Sequence, residues 1–291
     1  MKTTNYPTRP PAPDDINERR WAHTALRRRL MTGLWERDLE EALHEHLPSE
    51  RRAAWGVADM SSNCLEQVTR QLAMLYHEQP NISHDENIEV LVDRGGYIPS
   101  AGLYPLMQRV QQFAIALREV VLRVDVIKGK PNQPQRKKGL LFRLVTPDFV
   151  YCESHPDAPD VPVYYREYRL RYSKEADEYK WIADVFDIRN DENPEFALYE
   201  VNSDGSLGLE VTQEYIGVSP QRGNAYPYRS KQGFPFLPIQ IYRAEKTGEL
   251  WNSYDSSQLT IGSLNSAVLF SFWLHLVRDS CWGQKYVAGL Q

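Results

Sequence analysis

Helical spacing of apolar residues dominates the first third of the chain. Over residues 21–47 the leucines recur mostly every four positions, which places them on one face of a single predicted helix that Pro48 ends. A second helix is predicted to begin near Asn63, whose side chain can cap it, with Glu66 three residues later as in a capping box. The same spacing predicts a third helix over about residues 103–124.

The spacing then changes to that of β-strands. Seven short segments rich in Val, Tyr, Phe and Ile lie between residues 139 and 243, and turn signals such as Asp204-Gly205 separate them. One of these predicted strand segments covers residues 209–218. Alternation is clearest over residues 164–172, as expected of antiparallel strands with one solvent-facing side.

Helical spacing returns at about Gln258, so the patterns predict an α+β fold with N-terminal helices, a central antiparallel β-rich region and a long C-terminal helix. Four prolines in the first thirteen residues favour an extended arm over residues 1–19. The remaining divisions are a helical portion over 20–127, a β-rich portion over 128–250, and a helical portion over 251–291. Aromatic residues crowd this last portion, and we expect the native chain to continue past its final residue or a partner to cover it.

Composition narrows the function classes. The net charge is −5, whereas a sequence-blind nucleic-acid binder would carry a basic surplus. Three distant cysteines form no disulfide framework or zinc motif, which favours a reducing compartment. The most apolar stretch, residues 261–277, is short for a bilayer span and contains Asn265 and His275. We therefore expect a soluble protein with a buried helix there and no membrane partner.

Motifs for catalysis are missing from the sequence. It contains no P-loop, nucleophile elbow, HExxH or GxGxxG pattern. The acidic run over residues 187–193 lacks the Gly and Glu of a calcium loop. Asp184 and Asp187 would lie on opposite faces of a strand and are expected at a hairpin edge as solubilising charge. The one local polar cluster is Cys152, His155 and Asp157, which is predicted to be a β-turn. We predict no catalytic, cofactor-binding or metal-binding residue, and no enzyme activity.

Two segregated charge blocks and an aromatic group are candidate contact sites. The basic block is predicted either to be a solvated hairpin tip or to contact an acidic partner or DNA; it comprises Lys128, Lys130, Arg136, Lys137 and Lys138. Residues 184–214 carry nine acids and one arginine, which would set subunit register in an assembly. The candidate subunit-interface residues are Trp251, Phe272, Trp273 and Trp282.

The order of three motifs resembles that of the portal proteins of tailed bacteriophages. The likeness spans most of residues 20–291. It is carried by Trp35-Glu36-Arg37-Asp38 with Asn63-x-x-Glu66-x-Val68, by Val145-Thr146-Pro147-Asp148-Phe149-Val150 with Ala197-Leu198-Tyr199-Glu200-Val201, and by Gly233-Phe234-Pro235-Phe236-Leu237-Pro238-Ile239 before a long helix containing Asn265.

This resemblance implies a structural role in the virion, with assembly in the host cytoplasm. The family forms a closed ring, typically of about twelve subunits, at one capsid vertex. Double-stranded DNA passes through the ring during packaging and ejection. The partners implied are further copies of the chain, the major capsid protein, the terminase, and head-completion or tail proteins, with no cofactor. The family usually runs well beyond this length, so the chain is expected to be an N-terminal portion, covering the wing and the start of the stem.

Three alternatives remain open from the sequence. One is another virion component, such as a head-tail adaptor or a minor head protein. A second is a hydrolase-type enzyme or transferase using Cys152, His155 and Asp157. The third is a soluble α+β binding module.

Overall fold

The computed structural model describes residues 9–46, 63–74, 103–127, 139–173, 177–251 and 258–281. The chain divides into two compact units. We call Met1–Ala25 with Ala73–Asp255 the sheet unit, and Leu26–Leu72 with Ser256–Gln291 the helix unit. Helices, antiparallel sheets and a long C-terminal helix confirm the predicted α+β class. The four-segment division made from the sequence stays a prediction.

The helices and strands are numbered in chain order. The α-helices are α1 Asp15–Thr32, α2 Glu36–His46, α3 Cys64–Leu72, α4 Leu103–Leu117, α5 Thr212–Ile216 and α6 Gln258–Cys281. The strands are β1 Glu119–Ile127, β2 Gly139–Val145, β3 Val150–His155, β4 Ala158–Ser173, β5 Glu178–Asp187, β6 Glu195–Val201, β7 Leu207–Glu210, β8 Gln221–Arg222 and β9 Ile239–Arg243.

The sheet unit contains two antiparallel sheets that pack face to face. One has the order β2-β1-β9, and the other has the order β3-β4-β5-β6-β7 with β8 paired to β6. Successive strand residues point to opposite faces, so one parity of each strand is buried between the sheets. Val121 and Val145 of the smaller sheet therefore share a core with Tyr165 and Phe186 of the larger sheet.

The other face of the larger sheet carries a second core beneath the start of α1. Trp21 is fully buried there and meets the Tyr168 ring edge-on at 5.2 Å between centroids. The indole N–H of Trp21 and the guanidinium of Arg20 both donate to the Val150 carbonyl oxygen, at 3.0 and 2.7 Å. These contacts attach α1 to the sheet at Arg20 and Trp21. Since α1 begins at Asp15, the extended arm predicted over residues 1–19 is wrong for Asp15–Arg19.

The helix unit is built around α2, α3 and α6. Its core contains Leu30, Trp35, Leu39, Leu43, Leu65, Ala267 and Val268. The predicted cap at Asn63 is confirmed, because the backbone N–H of Glu66 donates to Asn63 Oδ1 at 3.1 Å. The same side chain donates through Nδ2 to the Leu30 carbonyl at 2.7 Å. Asn63 therefore both begins α3 and joins it to α1 within this unit.

Two predicted helices are wrong in extent. The single helix over residues 21–47 is two helices, because Gly33 adopts φ +73°, a left-handed conformation that glycine accepts without steric cost. The third helix ends at Leu117 instead of continuing to residue 124. The residues after it form β1, which pairs with β2 and β9, and its β-branched valines favour this extended state.

A predicted strand is also shorter than expected. Within residues 209–218, only the first two belong to β7, and α5 follows. The Thr212 hydroxyl accepts from the backbone N–H of Leu198 at 2.9 Å, and Gly217 ends the helix at φ +69°. The helical turn thus satisfies a backbone donor of β6 that a continued β7 would have met in the ladder.

Candidate functional site

Seven charged residues lie between the two sheets, next to the apolar core. We call them the ionic cluster: Arg123 and Asp125 of β1, Arg143 of β2, Glu167, Arg169 and Arg171 of β4, and Asp184 of β5. Spacing by two along β1 and β4 brings the members of each strand to one face. Arg123 is the member next to the apolar core, because its guanidinium carbon lies 4.7 Å from the ring centroid of Phe186.

Strand register explains how the cluster is assembled. Arg123 lies opposite Arg143 in the smaller sheet, and Glu167 lies opposite Asp184 in the larger sheet. Each of these cross-strand pairs has like charges and is unfavourable within its own sheet. Stacking the sheets sets the arginine pair against the carboxylate pair. The ionic cluster therefore favours the packed pair of sheets over either sheet alone.

The inner arginines have close carboxylate partners. Arg123 donates to Glu167 at 2.6 Å, to Asp184 at 2.9 Å and to Asp125 at 2.9 Å, and its side chain is 4% exposed. Arg143 donates to Asp125 at 3.0 Å and to Glu167 at 3.1 Å. A buried arginine with three acceptors meets much of its desolvation cost through charge-assisted hydrogen bonds.

The electrostatics of the cluster favour the charged forms of Glu167 and Arg123. Burial alone would raise the pKa of Glu167, but Arg123, Arg143 and Arg169 outweigh it and lower this pKa to about 2. Burial alone would lower the pKa of Arg123, and Glu167 and Asp125 raise it above its ordinary value. A carboxylate with so low a pKa is a poor proton carrier near neutrality, so this arrangement is suited to structure and charge recognition more than to acid–base catalysis.

The prediction for Asp184 is wrong, and the acidic block around it has partners inside the chain. Asp184 is fully buried in the ionic cluster instead of solvated at a hairpin edge. Other acids of residues 184–214 also form ion pairs within the sheet unit: Asp187 with Arg189, Glu195 with Arg222, and Glu200 with Lys180. The proposed role of this block in subunit register stays a prediction.

The predicted turn is present at His155 and Asp157, whereas Cys152 lies within strand β3. β3 ends at His155, and the Asp157 backbone N–H donates to His155 Nδ1 at 3.1 Å. Cys152 is buried in the apolar core, and burial raises the pKa of its thiol, which disfavours the nucleophilic thiolate. Within the described ranges, no group of three or more His, Cys, Asp or Glu side chains is arranged to hold a metal ion.

A second candidate site is the exposed side of α6. Leu264, Ala267, Val268 and Phe272 of this helix pack into the helix-unit core. Six large apolar side chains of the C-terminal half of the helix are 40–67% exposed, and we call them the apolar face: Leu269, Phe270, Trp273, Leu274, Leu276 and Val277. Spacings of three and four residues place them in two neighbouring stripes.

The apolar face includes a shallow groove and belongs to a strongly apolar helix. Leu269, Phe270 and Trp273 line this groove, whose volume is about 260 Å³. Gln258–Val277 is the one helix in the described part of the chain that is long and apolar enough to cross a membrane, by length and composition only. Of its most apolar window, 28% is buried. Core helices of soluble proteins pass the same test.

The predicted interface residues have different environments. Trp251 is 5% exposed in the sheet-unit core, where the Arg20 guanidinium lies 4.0 Å from its ring centroid. Its proposed interface role is therefore wrong, because its side chain is covered by the chain itself. Phe272 is partly buried against the helix-unit core, whereas Trp273 is 57% exposed on the apolar face. Trp282 lies outside the described residues.

The predicted basic contact loop also lies outside the described residues: Lys128, Lys130, Arg136, Lys137 and Lys138.

The ionic cluster was not predicted from the sequence. Its signal is charge at every second position inside strands, as at Arg123 and Asp125 or at Glu167, Arg169 and Arg171. Such spacing alone is also typical of a solvent-facing strand side.

Comparison with models of known protein families found no match to this chain, and comparison with curated protein sequences found none either.

Proposed function

We propose that this chain is a structural portal protein of a tailed bacteriophage. In this role it forms a ring at one capsid vertex, guides double-stranded DNA during packaging and ejection, and docks the terminase and the head-completion or tail proteins. The motif order that resembles portal proteins supports this proposal. The net charge of −5 is also compatible with a channel that does not hold DNA tightly.

The observation that carries the proposal is the apolar face of α6. Six large apolar side chains remain exposed on the C-terminal half of a helix whose other side packs into the helix-unit core. Exposed apolar patches of this kind are typical of surfaces that associate with another protein. A ring buries a surface of every subunit against its neighbours, so copies of the chain are the partner that this proposal assigns to the apolar face.

The experiment is single-particle imaging of the purified protein, with native mass spectrometry of the same sample. We expect rings of about twelve subunits with a central hole, as a closed cyclic assembly requires. A monomer or dimer at micromolar concentration would contradict the proposal. A small assembly without a ring would favour the alternative of a head-tail adaptor or a minor head protein.

A matched pair of variants tests the apolar face itself. Leu269 is 67% exposed on the apolar face, and Leu209 is 74% exposed on β7 of the sheet unit. We expect Leu269→Lys to shift the native mass towards the monomer, because a charge would be desolvated at the contact, while Leu209→Lys leaves the assembly intact. Equal effects of the two variants, or flotation of the protein with phosphatidylcholine vesicles in place of ring formation, would contradict this role of α6.

A further inference from the structure

The outer arginines of the ionic cluster differ from the inner pair in how fully their donors are used. Arg171 makes one long hydrogen bond, at 3.5 Å, to Asp184 Oδ1. Arg169 pairs with Asp184 through one terminal nitrogen, while its buried Nε has no hydrogen-bond partner among the described residues and lies 3.6 Å from Glu167 Oε1. A guanidinium has five N–H donors, so both outer side chains keep unused donors.

The cluster also has a surplus of positive charge. Its four arginines face three carboxylates, and the two buried carboxylates, Glu167 and Asp184, are each shared by three arginines. Burial lowers the pKa of Arg169 to about 9, with Arg143, Arg123 and Arg171 acting in the same direction against Glu167. Repulsion among the guanidiniums is therefore only partly offset inside the cluster.

The charges next to Arg171 do not neutralise the positive surplus of the cluster. Lys180 lies directly opposite Arg171 in the β4–β5 register, which adds a like-charge cross-strand pair. Its own carboxylate partners are Glu200 at 3.0 Å and Glu178 at 3.9 Å, and Glu178 is mostly solvent-exposed. The Tyr215 ring lies 5.5 Å from the Arg171 guanidinium carbon and flanks it.

We propose that Arg169 and Arg171, with Arg143 beside them, form a binding site for a small oxyanion of the phosphate class. The side chains of these arginines are 21–30% exposed, so solvent reaches them at the edge of the cluster while their stems stay packed. Guanidinium groups suit this ligand because two N–H groups can donate to two oxygens of one phosphate. The low exposure of the three side chains favours a free ion over the backbone of a nucleic-acid duplex.

The experiment measures binding of inorganic phosphate to the full chain by isothermal titration calorimetry and by the shift of the melting temperature, with sodium chloride of equal ionic strength as the reference. We expect a phosphate-specific rise in melting temperature for the wild type. Arg171→Gln should reduce the affinity for phosphate at least tenfold. Arg171→Lys should reduce the affinity for phosphate less than Arg171→Gln does, because lysine keeps the positive charge. It should still bind more weakly than the wild type, because lysine lacks the paired N–H donors of arginine.

Arg222→Gln is the matched control, since Arg222 forms a surface ion pair with Glu195 away from the cluster. This variant should bind phosphate as the wild type does. No phosphate-specific response of the wild type, or an equal response of the Arg171→Gln and Arg222→Gln variants with circular dichroism confirming that both are folded, would overturn the proposal. Fluorescence anisotropy with a short DNA duplex separates the two sources of phosphate: tighter binding to the duplex than to free phosphate, weakened by Arg171→Gln, would also overturn it. The ring proposal is tested by native mass and does not depend on this result.

Discussion

The two units of this protein differ in which groups they bury: the sheet unit buries charged groups, and the helix unit leaves apolar groups exposed. The sheet unit buries Arg123, Glu167 and Asp184 of the ionic cluster and covers Trp251 with its own side chains. The helix unit has an apolar core too, but its longest helix leaves the apolar face exposed. A buried charge is tolerated where the same chain supplies its partner. Covering an exposed apolar face with another surface lowers the free energy, because apolar area is removed from water. The sheet unit therefore supplies partners for its most deeply buried charges, whereas the helix unit leaves a large apolar surface uncovered.

The largest expected effect comes from removing a buried carboxylate of the sheet unit. Asp184→Ala removes the carboxylate shared by Arg123, Arg169 and Arg171, so a buried guanidinium loses a partner. We expect the free energy of unfolding to fall by about 4 kcal/mol, the usual cost of breaking a buried pair. Urea denaturation followed by circular dichroism measures it. Asp187→Ala, which breaks a surface pair with Arg189, should cost at most about 1 kcal/mol, and equal losses would refute the distinction.

Acid should weaken the same unit through Glu167. Its folded-state pKa of about 2 lies below the ordinary value of 4.5, so its contribution is fully present above about pH 4.5 and is lost as the pH falls towards 2. The expected loss is on the order of 3 kcal/mol for such a shift. Urea melts of the wild type and of Glu167→Gln between pH 5 and about pH 2.5 test this. A wild-type slope with pH as shallow as that of the variant would count against it.

A smaller effect is expected in the helix unit at the start of α3. Asn63→Ala removes the cap on the Glu66 N–H and the hydrogen bond to the Leu30 carbonyl. We expect a loss of about 1 kcal/mol from the cap, with a further contribution from the buried carbonyl. Thermal unfolding followed by circular dichroism measures it. Asn63→Asp, which keeps the capping oxygen but cannot donate to Leu30, should recover part of the loss, and no recovery would contradict the capping role.

The smallest effect on stability should come from the apolar face. Leu269→Lys replaces a side chain that is already mostly exposed, so the unfolding free energy of the dilute protein should change by no more than about 0.5 kcal/mol. The same variant should alter the native mass, as proposed above. A large loss of stability in the monomer would mean that the side chain supports the fold of the helix unit instead of an interface.

Elements with a strong local signal could be predicted from the sequence. The Asn63 cap with Glu66, the alternating strand β4 and the C-terminal helix α6 follow from spacing and capping chemistry within short windows. Predictions failed where two periods overlap. Residues 119–124 fit a helical stripe as well as a strand, and the pairing of β1 with β2 and β9 decides between them.

The candidate sites were predictable only in part. Trp273 could be proposed as a contact residue from the crowding of aromatic side chains, and it is exposed on the apolar face. Trp251 belongs to the same crowded stretch of sequence, yet it packs beneath Arg20 in the sheet-unit core. The sequence gives both residues the same hydrophobic character, and exposure depends on neighbours that are distant along the chain.

Local patterns in the sequence are sufficient for the α+β class, for the sequence of a helical, a β-rich and a second helical region, and for the low net charge, because period, capping and composition are local properties. The burial of Asp184 with three arginines and the covering of Trp251 do not follow from any local pattern. Those outcomes depend on which strands pair, on their register and on the stacking of the two sheets. A carboxylate looks the same in the sequence whether it faces water or a guanidinium, and only the packed neighbours determine its environment.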